Sequence, residues 1–361
     1  MRFTKSSGLM LGALLVASGC EKEQTETAVK PVASVDKAAA IDPALARAVA
    51  AASARPPRAK SQGGPGEPPP GGIFAPGAAD QEIKLGAPPK ITLGSAGSEP
   101  RVALGPTQPK PGFKTSGMVE IATQGDPQQA PLPVQMAVTV EASKAKTGAA
   151  DAGAAEPVSV SVKVTGAKIG VTGVPQELEA RFAKIKGTKL EYQVSPEGAV
   201  SHAKTELAPG AEGVRDQARQ LGDVLALVTL PFPAEPVGTG AYWMATTREG
   251  VFGLDLVTYR LIKVASVTGD LVTLEVGTKR YATSNRFDFE GLPPDAPREL
   301  AEFESKSDGK LLLKVGSPFP VSGDIQSVLA ASLNMPTQPG QQPQRGALTI
   351  QTRVTLDFGK R

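Results

Sequence analysis

The residues best able to do chemistry in this chain are few. It has one cysteine, Cys20, one histidine, His202, and one tryptophan, Trp243, in 361 residues. A Ser-His-Asp or Cys-His enzyme would have to use that single His or Cys. A disulfide framework or a thiolate metal site needs several such residues. His202 falls in a predicted strand over 199–207 and shares a face with Val200 and Lys204, which reads as a solvated position. Carboxylates crowd at Asp288, Glu290, Asp295, Glu299, Glu302 and Glu304 without EF-hand or RTX spacing. They read as a solvated loop and strand face, with a weak cation site as the alternative. No nucleophile elbow, Walker loop or dinucleotide fingerprint occurs. The expectation is a protein that is not an enzyme and needs no cofactor or metal.

Cys20 is the exception, because of what surrounds it. Arg2 and Lys5 precede an uncharged run from Gly8 to Gly19. As a helix those twelve residues span about 18 Å, short of the ~30 Å hydrocarbon core of a bilayer. A basic start and a short apolar run read as a secretory signal peptide over 1–19. The tetrapeptide Ala17-Ser18-Gly19-Cys20 resembles the lipobox of bacterial lipoproteins, with Ala17 where Leu is commonest. The resemblance implies cleavage before Cys20, a diacylglycerol thioether on its sulfur, and a membrane partner through that anchor. Ordinary secretion with Cys20 incidental is the competing reading. Glu21 is not the Asp that retains enteric lipoproteins at the inner membrane, so the expected place is the outer membrane of a Gram-negative envelope.

The elements that follow must present whatever function there is. Residues 20–72 are rich in Pro, Ala and Gly and read as a disordered tether, with a marginal helix starting at Asp42. Residues 73–112 are a Pro- and Gly-rich segment whose apolar pairs, such as Ile91 and Leu93, suit edge strands. Residues 113–361 read as a β-rich domain. Val134, Met136, Val138 and Val140 alternate with Gln135, Ala137, Thr139 and Glu141, and Val158–Val164 and Leu348–Phe358 show similar alternation. Turns are expected at Pro196-Glu197-Gly198, Glu249-Gly250, Gly269-Asp270 and Asp308-Gly309, giving one antiparallel meander of ten to twelve strands. Residues 324–334 fit either a helix or a strand, and the strand at 347–358 favours the latter. Helices are predicted over 176–186 and 211–230. The fold class is therefore mainly β: a large curved meander, half-barrel-like, with the helix 211–230 on its concave face.

That helix carries Val214, Ala218, Leu221, Leu225 and Val228 on one stripe. Val214, Leu221, Leu225 and Val228, with Phe232 and Trp243, are the candidate lining of an apolar pocket; packing of Trp243 into the core is the alternative. Adjacent strand residues face opposite sides, so Tyr242 and Trp243 cannot both point inward. The stretch 230–290 resembles a feature of β-rich envelope lipoproteins, and the architecture resembles half-barrel carriers of lipids and lipoproteins, which is a likeness of fold alone. With 39 basic and 36 acidic residues and 4% aromatics, no nucleic-acid partner is expected. The functional expectation is a binding or carrier module for an apolar ligand; the alternative is a structural lipoprotein that meets another envelope protein. The anchor is directly testable: metabolic palmitate labelling should be lost on Cys20→Ala, and persistence of label, or a soluble unlabelled mature protein, would contradict it.

Overall fold

The computed structural model describes residues 68–105, 112–125, 128, 130–145, 157–251, 253–286, 299–334 and 345–359, with His202 described by its backbone alone. All belong to one compact unit, Ala52–Arg361. The expected signal peptide, Cys20, the expected tether up to residue 67 and Asp288, Glu290 and Asp295 lie outside the described residues.

Twelve antiparallel strands form one sheet: β1 (Lys90–Ser95), β2 (Phe113–Gln124), β3 (Leu132–Lys144), β4 (Val158–Ile169), β5 (Lys189–Val194), β6 (Val200–Glu206), β7 (Tyr242–Val251), β8 (Leu254–Thr268), β9 (Leu271–Ala282), β10 (Leu300–Lys314), β11 (Ser322–Asn334) and β12 (Arg345–Asp357). The described helices are α1 (Ala78–Glu82), α2 (Gln176–Ala183) and α3 (Arg215–Val228). None is long and apolar enough to cross a membrane. The fold is mainly β, as the alternation predicts, and residues 324–334 are strand. The helix expected from 211 begins with a separate 3-10 turn at Glu212–Val214 before α3. His202 lies in β6, where the strand was expected.

The single meander needs correcting. Strand order is β1-β7-β8-β9-β10-β11-β12-β2-β3-β4-β5-β6, so two meanders, β2–β6 and β7–β12, meet where β12 pairs with β2. The chain leaves the edge strand β6, passes through α3, and enters β7 near the other edge. The sheet stays open, with β1 and β6 as its edges.

The helix shows how far the sheet curls. A Cβ on Gly222 of α3 would lie 3.4 Å from Leu190 of β5, while the next residue, Asp223, interacts electrostatically with Arg280 of β9. Those strands stand seven positions apart in the order. On a flat sheet that is about 34 Å at ~4.8 Å per strand. Adjacent helix residues can reach both only because the twisted sheet wraps around them. The wrapped face carries the main core, including Val119, Met136, Val160, Ile262, Leu274 and Leu311, and all the buried α3 side chains belong to it. We call it the inner face.

Two expected turns are displaced. Glu249-Gly250 lies inside β7, which runs on to Val251, and Asp308-Gly309 lies in the middle of β10. Gly309 is there for close approach. A Cβ on it would sit 2.5 Å from the Asp324 carbonyl oxygen and 2.7 Å from Ile325 of β11. A strand glycine marks a site where another backbone comes near, as well as a turn. Gly309→Ala should therefore lower stability by about 1–3 kcal/mol through overpacking, read as a reduced urea midpoint; an unchanged midpoint would contradict this account.

Candidate functional site

Side-chain parity maps the inner face. On β8, Leu254, Leu256, Thr258, Arg260, Ile262 and Val264 share one side. Ile262 and Val264 belong to the main core, while Leu254 and Leu256 belong to a second apolar cluster with Val251, Ala282, Phe303 and Leu329. Thr258 and Arg260 separate the two. The same break recurs on neighbouring strands. Cross-strand pairing places Arg260 opposite Thr278, Thr278 opposite Ser307, Ser307 opposite Ser327, Ser327 opposite Thr352, and Thr352 opposite Thr123. A polar belt thus crosses six strands between two apolar clusters. A parallel row runs Thr247, Thr258, Arg280 and Ser305. The helix meets the belt where Gln220 Nε2 donates to Thr123 Oγ1 at 3.3 Å.

Two buried guanidiniums dominate the belt. Arg260 is 1% exposed and Arg280 6%. Arg260 Nη1 donates to Glu249 Oε1 and, at 2.8 Å, to Thr247 Oγ1. The Glu249 carboxylate also accepts from Thr247 Oγ1 at 2.6 Å and Thr258 Oγ1 at 3.3 Å. Burial alone would raise the Glu249 carboxyl, but Arg260, Arg280 and Thr247 together hold it below its ordinary value. The other donors are left over: Arg260 Nε and Nη2, Arg280 Nε and Thr278 Oγ1 are buried without a hydrogen-bond partner. Burial, and then the neighbouring Arg260, bring the Arg280 guanidinium down to about 10. Arg260 and Arg280 are diagonal neighbours across β8 and β9, which sets their backbones roughly 7–8 Å apart. The belt is therefore cationic, with hydrogen-bond donors to spare.

The six pocket candidates lie on the other side of this belt. Val214, Leu221, Leu225, Val228 and Trp243 are at most 2% exposed, and Phe232 is half-buried against them. Trp243 Nε1 donates to the Pro231 carbonyl oxygen at 2.9 Å, and its ring centroid stands 6.4 Å from that of Phe232. The structure does bring all six together, as a packed layer between helix and sheet. Tyr242 points the opposite way, its ring above Gly94. Of the acidic stretch, Glu299 accepts from Asn285, while Glu302 and Glu304 sit exposed on the outer side of β10 beside Arg345 and Lys306.

The belt was missed in the sequence although parity carried a signal for it. Thr258 and Arg260 interrupt an inward apolar series on β8, Thr278 and Arg280 do so on β9, and Ser305 and Ser307 do so on β10. Each break alone is ordinary. Their alignment needs the register of the pairs.

The carboxylate next to the belt sets a pH dependence. Burial pushes Asp223 up to about 7, against Arg280 of β9 and Arg219 of its own helix and with a push from Glu249 of β7. The folded chain thus holds this proton more tightly than the unfolded chain, whose carboxyl titrates near 3.8. Its stabilising share is full below about pH 4 and fades as pH rises toward 7. Asp223→Asn should remove that fading, so the variant's urea midpoint gains on the wild type between those pH values; parallel profiles would contradict it. A scan against protein-family models and a search of the curated proteins found no match to this chain.

Proposed function

We propose that this chain is a lipid-anchored cell-envelope protein, tethered through Cys20, whose β-body binds an apolar ligand on its inner face and performs no chemistry on it. One observation carries the reading: the second apolar cluster. It lies on the inner face, across the polar belt, and includes no residue of α3. Its margin opens outward, with Leu333 and Ile350 half-buried and Leu348, paired with Ala331, 40% exposed. An apolar surface that extends from a buried floor to an exposed rim suits a chain-like guest. The cover helix has a loosening residue, since Gly222 in mid-helix forgoes about 1 kcal/mol against Ala.

The packed layer beneath α3 favours a second reading, in which the body is a structural or interaction module presented to another envelope protein. The two readings separate experimentally. Native mass spectrometry of the full chain carrying Cys20→Ala should find a co-purifying lipid if the body is a carrier. A protein that repeatedly emerges empty, and takes up no added lipid, would support the interaction module. Gly222→Ala has room for its methyl beside Leu190. It should raise the melting temperature under either reading, and slow ligand exchange as well if α3 must loosen; a higher melting temperature with unchanged exchange would make α3 plain core.

A further inference from the structure

The polar belt specifies what an apolar ligand should carry at its end. We propose that Arg260 and Arg280 form an oxyanion site on the inner face, and that it takes the charged head of an anionic amphiphile whose acyl part lies on the second apolar cluster. This rests on the carrier reading above and deepens it.

Three observations converge. First, the donors are present and unused: Arg260 Nε and Nη2, Arg280 Nε and Thr278 Oγ1 have no partner although all four are buried. Guanidinium forks match the geometry of carboxylate and phosphate oxygens, and such charge-assisted bonds are the stronger kind. Second, the charge is unbalanced. Two guanidiniums face Glu249, which is ionised but engaged through Arg260 Nη1 and the hydroxyls of Thr247 and Thr258, and Asp223, whose carboxyl is buried and reaches Arg280 electrostatically without a hydrogen bond to its Nε. An incoming oxyanion supplies the missing negative charge. Third, the neighbourhood is amphiphilic in the right order. Thr258 and Arg280 are followed, one inward position along their strands, by Leu256 and Ala282 of the second cluster. From there Leu329 pairs with Ile350, and Ala331 with the exposed Leu348. A head at the arginines would have apolar neighbours from the buried Leu256 and Ala282 to the exposed Leu348 at the rim. Ser305 and Ser307, both buried, lie on the strand beside Arg280 and Thr278 and extend the polar surroundings.

The same head chemistry exists in a free anion, so the test uses three probes on the full chain carrying Cys20→Ala: dioctanoyl phosphatidate (head and tail), dioctanoyl glycerol (tail alone) and inorganic phosphate (head alone). The expected result is that phosphatidate binds roughly tenfold or more tighter than the diacylglycerol, and that Arg280→Met erases this advantage while leaving diacylglycerol binding intact. Arg280→Lys should restore part of it. Thr278→Val, which removes only a neighbouring hydroxyl, should weaken phosphatidate binding by about threefold and serves if Arg280→Met does not fold. Equal affinity for phosphatidate and diacylglycerol, with both unaffected by these variants, would overturn the oxyanion site and leave the carrier reading standing. Phosphate that raises the melting temperature of the parent but not of Arg280→Met, with neither lipid bound, would support the oxyanion site for a free anion and overturn the amphiphile and the carrier. No binding of any probe would overturn both.

Discussion

The whole arrangement depends on one sheet curling far enough for a fourteen-residue helix to bury its inner side. The helix α3 is about 21 Å long at 1.5 Å per residue. It could not cover twelve flat strands. The seam between β12 and β2 makes the curl possible, because it fuses two meanders into one surface from Gln351 opposite Gln124 to Asp357 opposite Met118. On that seam Val354 and Leu356 meet Ile121 and Val119, all buried in the main core. Twist accumulated across every strand then brings β5 and β9 to adjacent residues of the same helix. Each large apolar side chain so enclosed contributes about 1.5–3 kcal/mol, and Trp243 closes the end of the layer by satisfying its indole N–H on the Pro231 carbonyl.

The belt runs against this logic, which makes it informative. Removing an ion from water costs several kcal/mol, and a buried donor without a partner about 1–3 more. Apolar residues at positions 260 and 280 would carry none of that cost. Glu249, Thr247 and Thr258 offset part of it for Arg260. For Arg280 the main carboxylates in reach are Glu249, already engaged, and Asp223, whose raised pKa leaves it only partly ionised near neutrality. The fold therefore tolerates a cationic centre that its own side chains neutralise only in part.

Much of the architecture was legible in the sequence, and the limits follow a pattern. Period-two alternation placed β3, β4 and β12 because each has one apolar and one polar side. The α3 stripe was readable because spacings of three and four bury one helical side whatever the partner. The parity rule separated Tyr242 from Trp243 without any structure. Turn chemistry failed at Asp308-Gly309, where the glycine answers to the backbone of the next strand, β11, rather than to a turn. The strand order failed because pairing of β12 with β2 is non-local and leaves no local trace. The belt escaped for the same reason. Arg260, Thr278 and Ser307 become one feature only when two registers, β8 with β9 and β9 with β10, are fixed together.

Strand length explains why the inner face has a second cluster at all. β8 and β10 have fifteen residues each, or about 50 Å at ~3.3 Å per residue. A helix about 21 Å long and 10–12 Å across cannot cover that length in any orientation. The belt lies where the helix contacts end, at Gln220 and Asp223, and the apolar residues beyond it need another cover. Part comes from the segment entering the body. Ile73 bridges to Ala282, and Gly72 presses so close to the Phe303 carbonyl that a Cβ would overlap it. The same segment then turns to the outer face, where α1 sets Phe74, Ala79 and Ile83 against Val257 and is tied down by Asp80 to Arg248. Its reach therefore ends at β9 and β10, and the apolar surface on β11 and β12, from Leu329 through Ile350 to Leu348, extends past it toward solvent. A long sheet wrapped on a short helix leaves such a margin, and the two arginines stand at its inner end.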